Sequence, residues 1–125
     1  MCEKMIFQDN NSNVSVETLY CIGGYVTYEV AVATNGFSGV CTFCIEENTL
    51  KEYIEIINSM LETLNGIVEI QDCESDAYIK LFFENDRNFY VLGQINGSHN
   101  DNTLKFKIKA DQTLLRGLKR NMLDY

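Results

Sequence analysis

Two cysteines in the first half of the chain have the spacing that redox pairs and zinc sites use. Cys41 and Cys44 are three positions apart, but they lie in a stretch that we predict to be a strand, where such residues point to opposite faces. A redox pair instead places one sulfur at a helix N-terminus, and a zinc site needs about four ligands. The sequence has no second closely spaced pair of cysteines, and its single histidine is His99. We therefore expect no metal and no cofactor, and we interpret the five cysteines as reduced thiols that mostly pack as small hydrophobes.

A short asparagine-rich segment resembles the beginning of a calcium-binding loop. Asp9, Asn11 and Asn13 stand where the first three ligands would be. Val14 and Tyr20 then occupy the positions that require a glycine and a bidentate glutamate. An Asn-rich surface turn is therefore the better interpretation.

Acid–base and nucleophilic chemistry find little support in the sequence. His99 lies in the polar segment 96–102, with no nucleophile at a recognisable spacing, which favours a solvated loop histidine. A couple between this histidine and one of the cysteines stays open, since sequence alone does not place them relative to each other. We expect a protein that is not an enzyme and has no catalytic residues.

The charge of the chain is large, negative and unevenly placed. The formal net charge is -8; residues 105–125 hold six basic and two acidic side chains, and residues 1–104 hold four basic and sixteen acidic ones. Such a protein is repelled by a phosphate backbone, so we expect no nucleic-acid partner. The same field attracts a basic protein and speeds its encounter, although acidity also simply keeps a small domain soluble.

The densest acidic cluster is the candidate contact surface for such a partner. It comprises Glu69, Asp72, Glu74 and Asp76, in and beside a predicted turn between two strands. Glu46-Glu47 would add to the same field. The alternative interpretation is a solvated loop with no partner.

The remaining pattern predicts the elements that position these residues. Period-two alternation of β-branched and aromatic residues predicts strands, and Asn35-Gly36 predicts a tight hairpin turn. The clearest strands are 25–33, 37–45, 77–82, 89–95 and 104–109, with weaker ones at 4–8, 14–20 and 67–71. The last strand alternates apolar residues with lysines, as a half-buried strand with a lysine-lined wet face does.

Two segments change to helical spacing. Apolar residues recur at steps of three and four within 48–65 and within 111–123. Thr49 and Glu52 fit a capping box for the first helix, and Asp111 suits the N-cap of the second. We therefore predict a single α+β domain over residues 1–125, with an antiparallel, twisted, multi-stranded sheet and the order βββ-α-ββββ-α.

The chain has no apolar run of membrane-spanning length and no long apolar stretch near its first residue. These features, together with the odd number of cysteines, predict a cytoplasmic protein with no membrane partner. The oligomeric state is not predicted by any feature of the sequence.

Short motifs along residues 14–123 resemble those of the WapI-type immunity proteins, which are bacterial cytoplasmic proteins associated with polymorphic toxins. The motifs are Phe37-Ser38-Gly39 before the first helix, Ala77-x-Ile79-x-Leu81, Gly93-x-Ile95-x-Gly97, and Leu104-x-Phe106-x-Ile108-x-x-Asp111-Gln112-Thr113-x-Leu115. The resemblance implies a non-catalytic protein that neutralises a cognate toxin domain, often a nuclease, by binding it directly. The alternative hypothesis is a small-ligand-binding or regulatory domain with an aromatic-lined interior.

Overall fold

The computed structural model describes residues 4–8, 11–85, 88–96 and 103–123. These residues form eight strands and two helices. In chain order the elements are β1 (Lys4–Gln8), β2 (Ser12–Ile22), β3 (Tyr25–Thr34), β4 (Phe37–Glu46), α1 (Glu47–Thr63), β5 (Ile67–Gln71), β6 (Tyr78–Phe83), β7 (Phe89–Ile95), β8 (Leu104–Ala110) and α2 (Thr113–Leu123).

The strands form two antiparallel four-stranded sheets. Sheet A has the order β1-β2-β3-β4 and sheet B the order β5-β6-β7-β8, so every strand pairs with its neighbours in sequence. The predicted α+β class, antiparallel pairing and two helices are confirmed. The order of elements agrees except that four strands precede α1, and the strands divide into two sheets instead of joining one. The division falls at α1, which separates the two sets of hairpin-connected strands.

One face of each sheet is buried against the other layer. In sheet A, Val26, Tyr28, Val30 and Val32 alternate with more exposed residues along β3. In sheet B the same alternation buries alternate residues of β6 and β7. The buried residues of both sheets and both helices form one hydrophobic cluster, which removes their apolar surface from water and is the main driving force for this fold.

Helix α1 buries Leu50, Ile54, Ile57 and Met60. The helix begins at Glu47, whose backbone N–H donates to the carbonyl of Gly24 over 2.9 Å, so the β2–β3 turn supplies the partner that the first helical turn lacks. The predicted capping box is therefore wrong, since the N-cap residue lies earlier, at position 46, and makes no side-chain cap hydrogen bond.

Helix α2 begins where the sequence indicates. The Asp111 carboxylate accepts the N–H of Thr113 over 2.9 Å, and this hydrogen bond lowers the pKa of Asp111. Further along the helix, the buried amide of Asn121 accepts the hydroxyl of Thr18 over 3.2 Å. This bond ties α2 to β2, so the terminal helix is fixed to sheet A by a polar contact in addition to its apolar face.

Candidate interaction surface

The tip of the β2–β3 hairpin exposes three large side chains. Tyr20, Ile22 and Tyr25 are 52%, 69% and 43% exposed. The turn between them consists of Gly23 and Gly24, both with positive φ, which is the geometry that two-residue hairpins favour. Large apolar and aromatic side chains grouped at the surface are typical of contact surfaces, so the hairpin tip is a candidate for one.

A β-bulge in β2 places these side chains on the outer face of sheet A. The pairing register with β3 shifts between Thr18 and Tyr20. Because side chains alternate with period two, a shift of one residue moves the rest of the strand to the other face. Tyr20 then lies opposite Thr27, and Ile22 opposite Tyr25, on the side away from the core.

Strand β4 continues this surface with a carboxylate and a thiol. Glu46 lies opposite Tyr25, and Cys44 lies opposite Thr27. Directly opposite side chains of adjacent strands are neighbours, about 4.5–5.5 Å apart at Cβ. We call the two resulting rows, Ile22–Tyr25–Glu46 and Tyr20–Thr27–Cys44, the tip surface.

The loop between β5 and β6 extends the tip surface beyond Cys44. The N–H of Cys73 donates to the carbonyl of Cys44 over 3.0 Å, so this loop contacts the free edge of β4 at Cys44. Of the predicted acidic cluster, Glu74 and Asp76 are exposed in this loop. Glu69 is placed apart from them, on the outer face of sheet B, with its carboxylate 3.9 Å from the ammonium of Lys80.

Asp72, the fourth member of that cluster, is 8% exposed and holds the loop together. Its Oδ1 accepts the backbone N–H of Cys44 over 2.9 Å and that of Glu74 over 3.3 Å. Its Oδ2 accepts the hydroxyl of Ser75 over 2.6 Å. The carboxylate therefore joins the β5–β6 loop to sheet A and is not presented to a partner.

We expect Asp72→Ala to lower the free energy of unfolding by about 1–3 kcal/mol, because two backbone N–H groups lose a charged acceptor. Denaturant unfolding in the presence of a metal chelator measures the change, and Glu74→Ala is the matched control since it removes an exposed carboxylate from the same loop. The control should stay within about 0.5 kcal/mol of the wild type. Equal losses in the two variants would contradict the structural role assigned to Asp72.

Two thiols and a carboxylate meet where the loop touches β4. The Sγ atoms of Cys44 and Cys73 and a carboxylate oxygen of Glu74 all lie within 4.8 Å of one another. Burial raises the pKa of the Cys73 thiol to about 11, with further contributions from Cys44 and from the carboxylates of Asp72 and Glu74. The Cys73 sulfur therefore holds its proton beside the carboxylates of Asp72 and Glu74.

Cys41 does not belong to this group. It lies on the core side of β4 and is half-buried, and burial raises its thiol pKa. The two sulfurs of the Cys41-x-x-Cys44 motif thus point to opposite faces of the strand, as the spacing predicts. The sulfur that lies close to that of Cys44 is instead the one of Cys73, which follows α1 in the sequence.

The outer face of sheet B carries the opposite charge. Lys105, Lys107 and Lys109 are exposed along β8, as the alternating pattern predicts. The ammonium of Lys107 lies 4.8 Å from the ring centroid of Tyr90, which itself stacks on Phe82 at 5.6 Å. The described residues therefore separate a basic, aromatic face on sheet B from the acidic tip surface on sheet A.

The part of the interior that the described residues form leaves little room for a ligand. A cavity of about 20 Å³ lies between the sheets and α2, lined by apolar and aromatic side chains such as Phe7, Val30 and Met122. That volume is about enough for one water molecule. It does not accommodate the apolar ligand of the alternative hypothesis.

Two of the sequence-level candidates, Asp9 and His99, lie outside the described residues. Among the residues that are described, no helix is both long and apolar enough to cross a membrane. No protein-family model, curated protein or solved structure matches the chain.

Proposed function

We propose that this chain is a non-catalytic, immunity-type protein that binds a cognate toxin domain in the cytoplasm and thereby neutralises it. The observation that carries the proposal is the tip surface, where exposed Tyr20, Ile22 and Tyr25 adjoin Glu46 and the acidic loop. The resemblance of the sequence motifs to the WapI-type immunity proteins gives the class of partner.

The composition of the tip surface suits a protein partner. Aromatic side chains near the centre of an interface contribute most of the binding energy when they become fully buried. Tyr20 and Tyr25 offer large, rigid rings at a small cost in conformational entropy. The neighbouring carboxylates add specificity for a partner that is basic at the matching position.

The charge of the chain favours a basic toxin surface. Nuclease domains bind phosphate backbones, so their substrate clefts are positively charged. A protein with net charge -8 approaches such a cleft faster than diffusion alone allows, and its bound form excludes the nucleic acid. Neutralisation by occlusion needs no reactive group on the inhibitor.

The test is to co-express the chain with the carboxyl-terminal domain of a toxin-like protein encoded next to it. We expect it to restore growth that the toxin domain alone abolishes, and we expect the two purified proteins to elute together in size-exclusion chromatography. A toxin domain with its catalytic residue substituted serves as the binding control. Absence of both protection and a complex would contradict the proposal.

A further inference from the structure

The most specific chemical grouping in the described residues is the one formed by Cys44, Cys73 and Glu74. Its donor atoms come from strand β4 and from the β5–β6 loop, and they lie within 4.8 Å of one another. Thiolate sulfur and carboxylate oxygen are both common ligands of Zn²⁺. The grouping unites residues nearly thirty positions apart, so it is a product of the fold and not of a local motif.

The backbone around the grouping is fixed independently of any ion. Cys73 donates its N–H to the carbonyl of Cys44, and Asp72 Oδ1 accepts the N–H groups of both Cys44 and Glu74. The Asp72 carboxylate therefore holds the backbone of Cys44 and Glu74, and the Cys44 carbonyl holds that of Cys73. Ligands held in this way lose little conformational freedom when a metal binds.

The electrostatics of the grouping favour a cation. A carboxylate oxygen of Glu74 lies within 4.8 Å of both sulfurs, and the buried carboxylate of Asp72 accepts the backbone N–H groups of Cys44 and Glu74. A divalent cation offsets this concentration of negative charge: it pairs with the two sulfurs as thiolates and with the Glu74 carboxylate, and the two thiol protons pass to solvent.

We propose that Cys44, Cys73 and Glu74 bind one Zn²⁺ ion, with water in the fourth position. Sulfur donors select Zn²⁺ over Ca²⁺ and Mg²⁺, which prefer oxygen ligands throughout. Binding forms two Zn–S bonds and one Zn–O bond and releases the two thiol protons, with no change in oxidation state. The ion links the β5–β6 loop to sheet A at Cys44, which belongs to the tip surface.

The experiment is a Zn²⁺ titration of the reduced full-length chain against a chromophoric chelator, with Cd²⁺ as a second probe whose thiolate charge-transfer absorption reports sulfur ligation. We expect one equivalent of each metal to bind. Cys44→Ser and Cys73→Ser should each weaken binding beyond the roughly 10–100-fold that substitution outside the ligand shell costs. Glu74→Gln should weaken Zn²⁺ binding while leaving the Cd²⁺–thiolate absorption in place.

Cys21→Ser is the matched control, because Cys21 is an exposed thiol with strand β3 between it and Cys44. This variant should bind Zn²⁺ as the wild type does. Circular dichroism checks that each variant is folded, and Cys73→Ser alters an exposed side chain, so it tests the site even if Cys44→Ser unfolds.

Binding of equal affinity in the wild type and both site variants would overturn the proposal, and so would a failure of the reduced protein to bind. Formation of a Cys44–Cys73 disulfide in place of metal ligation would overturn it as well. The titration uses the protein alone, so its outcome is independent of whether a toxin binds the tip surface.

Discussion

Phe89→Ala should lower the free energy of unfolding by about 3–5 kcal/mol, which is the usual cost of removing a buried phenylalanine. Phe89 is 2% exposed, and its ring lies 5.2 Å from that of Phe83 and 6.2 Å from that of Phe7. Phe7 belongs to sheet A and the other two to sheet B, so truncation opens a cavity where the sheets meet. The surrounding aromatic rings are rigid and collapse poorly into the space.

Phe37→Ala is the matched control for this prediction. Phe37 begins β4 beside the tight hairpin turn and is 68% exposed, so removal of its ring should change the stability by no more than about 0.5 kcal/mol. Denaturant unfolding of both variants, analysed with a common slope, gives the two values. A loss below about 1 kcal/mol for Phe89→Ala would show that the contact between the sheets is not a tightly packed core.

Local signals in the sequence predict individual elements of this fold well. Asn35 and Gly36 have φ values of 48° and 86°, the geometry that a two-residue hairpin requires and that this residue pair favours. The lysine alternation of β8 and the N-cap at Asp111 are likewise as predicted. Each of these features depends on residues within a few positions of one another.

The division into two sheets could not be predicted in this way. Period-two alternation identifies which face of a strand is buried but not which strand lies beside it. Both sheets present alternating apolar faces to one core, so their strands have the same pattern whether they join one sheet or two. The separation follows from where α1 packs, which is a long-range property of the chain.

The different burial of the residues in the acidic cluster could not be predicted from the sequence either. Its four carboxylates have similar neighbours in sequence, yet Asp72 is buried while Glu74 is exposed. The difference comes from the free edge of β4, whose Cys44 N–H requires an acceptor. Nothing near Asp72 in the sequence identifies that edge.

Part of the tip surface could be predicted from the sequence. Gly23-Gly24 between apolar residues is a recognised hairpin signal and indicates that Ile22 and Tyr25 lie at a turn. The bulge that turns Tyr20 outward has no such signal, because it depends on how β2 and β3 pair. Without the bulge, Tyr20 and Ile22 would both face the core, and each row of the tip surface would lose its β2 residue.

A charge-reversing variant of the tip surface should have the largest effect on toxin binding. Glu46→Lys combined with Asp76→Lys replaces two exposed carboxylates with cations, one on β4 and one in the acidic loop. Electrostatic steering raises association rates by about 10–10³-fold, so we expect the double variant to lose roughly tenfold or more in the association rate constant at low salt. Neither substitution alters a ligand of the proposed zinc site.

The matched control is Glu55→Lys combined with Glu62→Lys, which changes the net charge equally on the exposed side of α1. Along the helix axis, Glu62 lies about 22 Å from Glu47, and it is therefore far from the tip surface. Stopped-flow association with the toxin domain should show a smaller loss for this control, since only the overall charge changes. The excess loss in the tip variant should shrink as salt rises, because the screening length falls from about 10 Å at 0.1 M to about 3 Å at 1 M.

Two outcomes would contradict this prediction. If both variants slow association equally, the carboxylates act through net charge alone. If charge reversal at Lys105 and Lys109 instead abolishes binding, the toxin contacts sheet B and the tip surface is not its site.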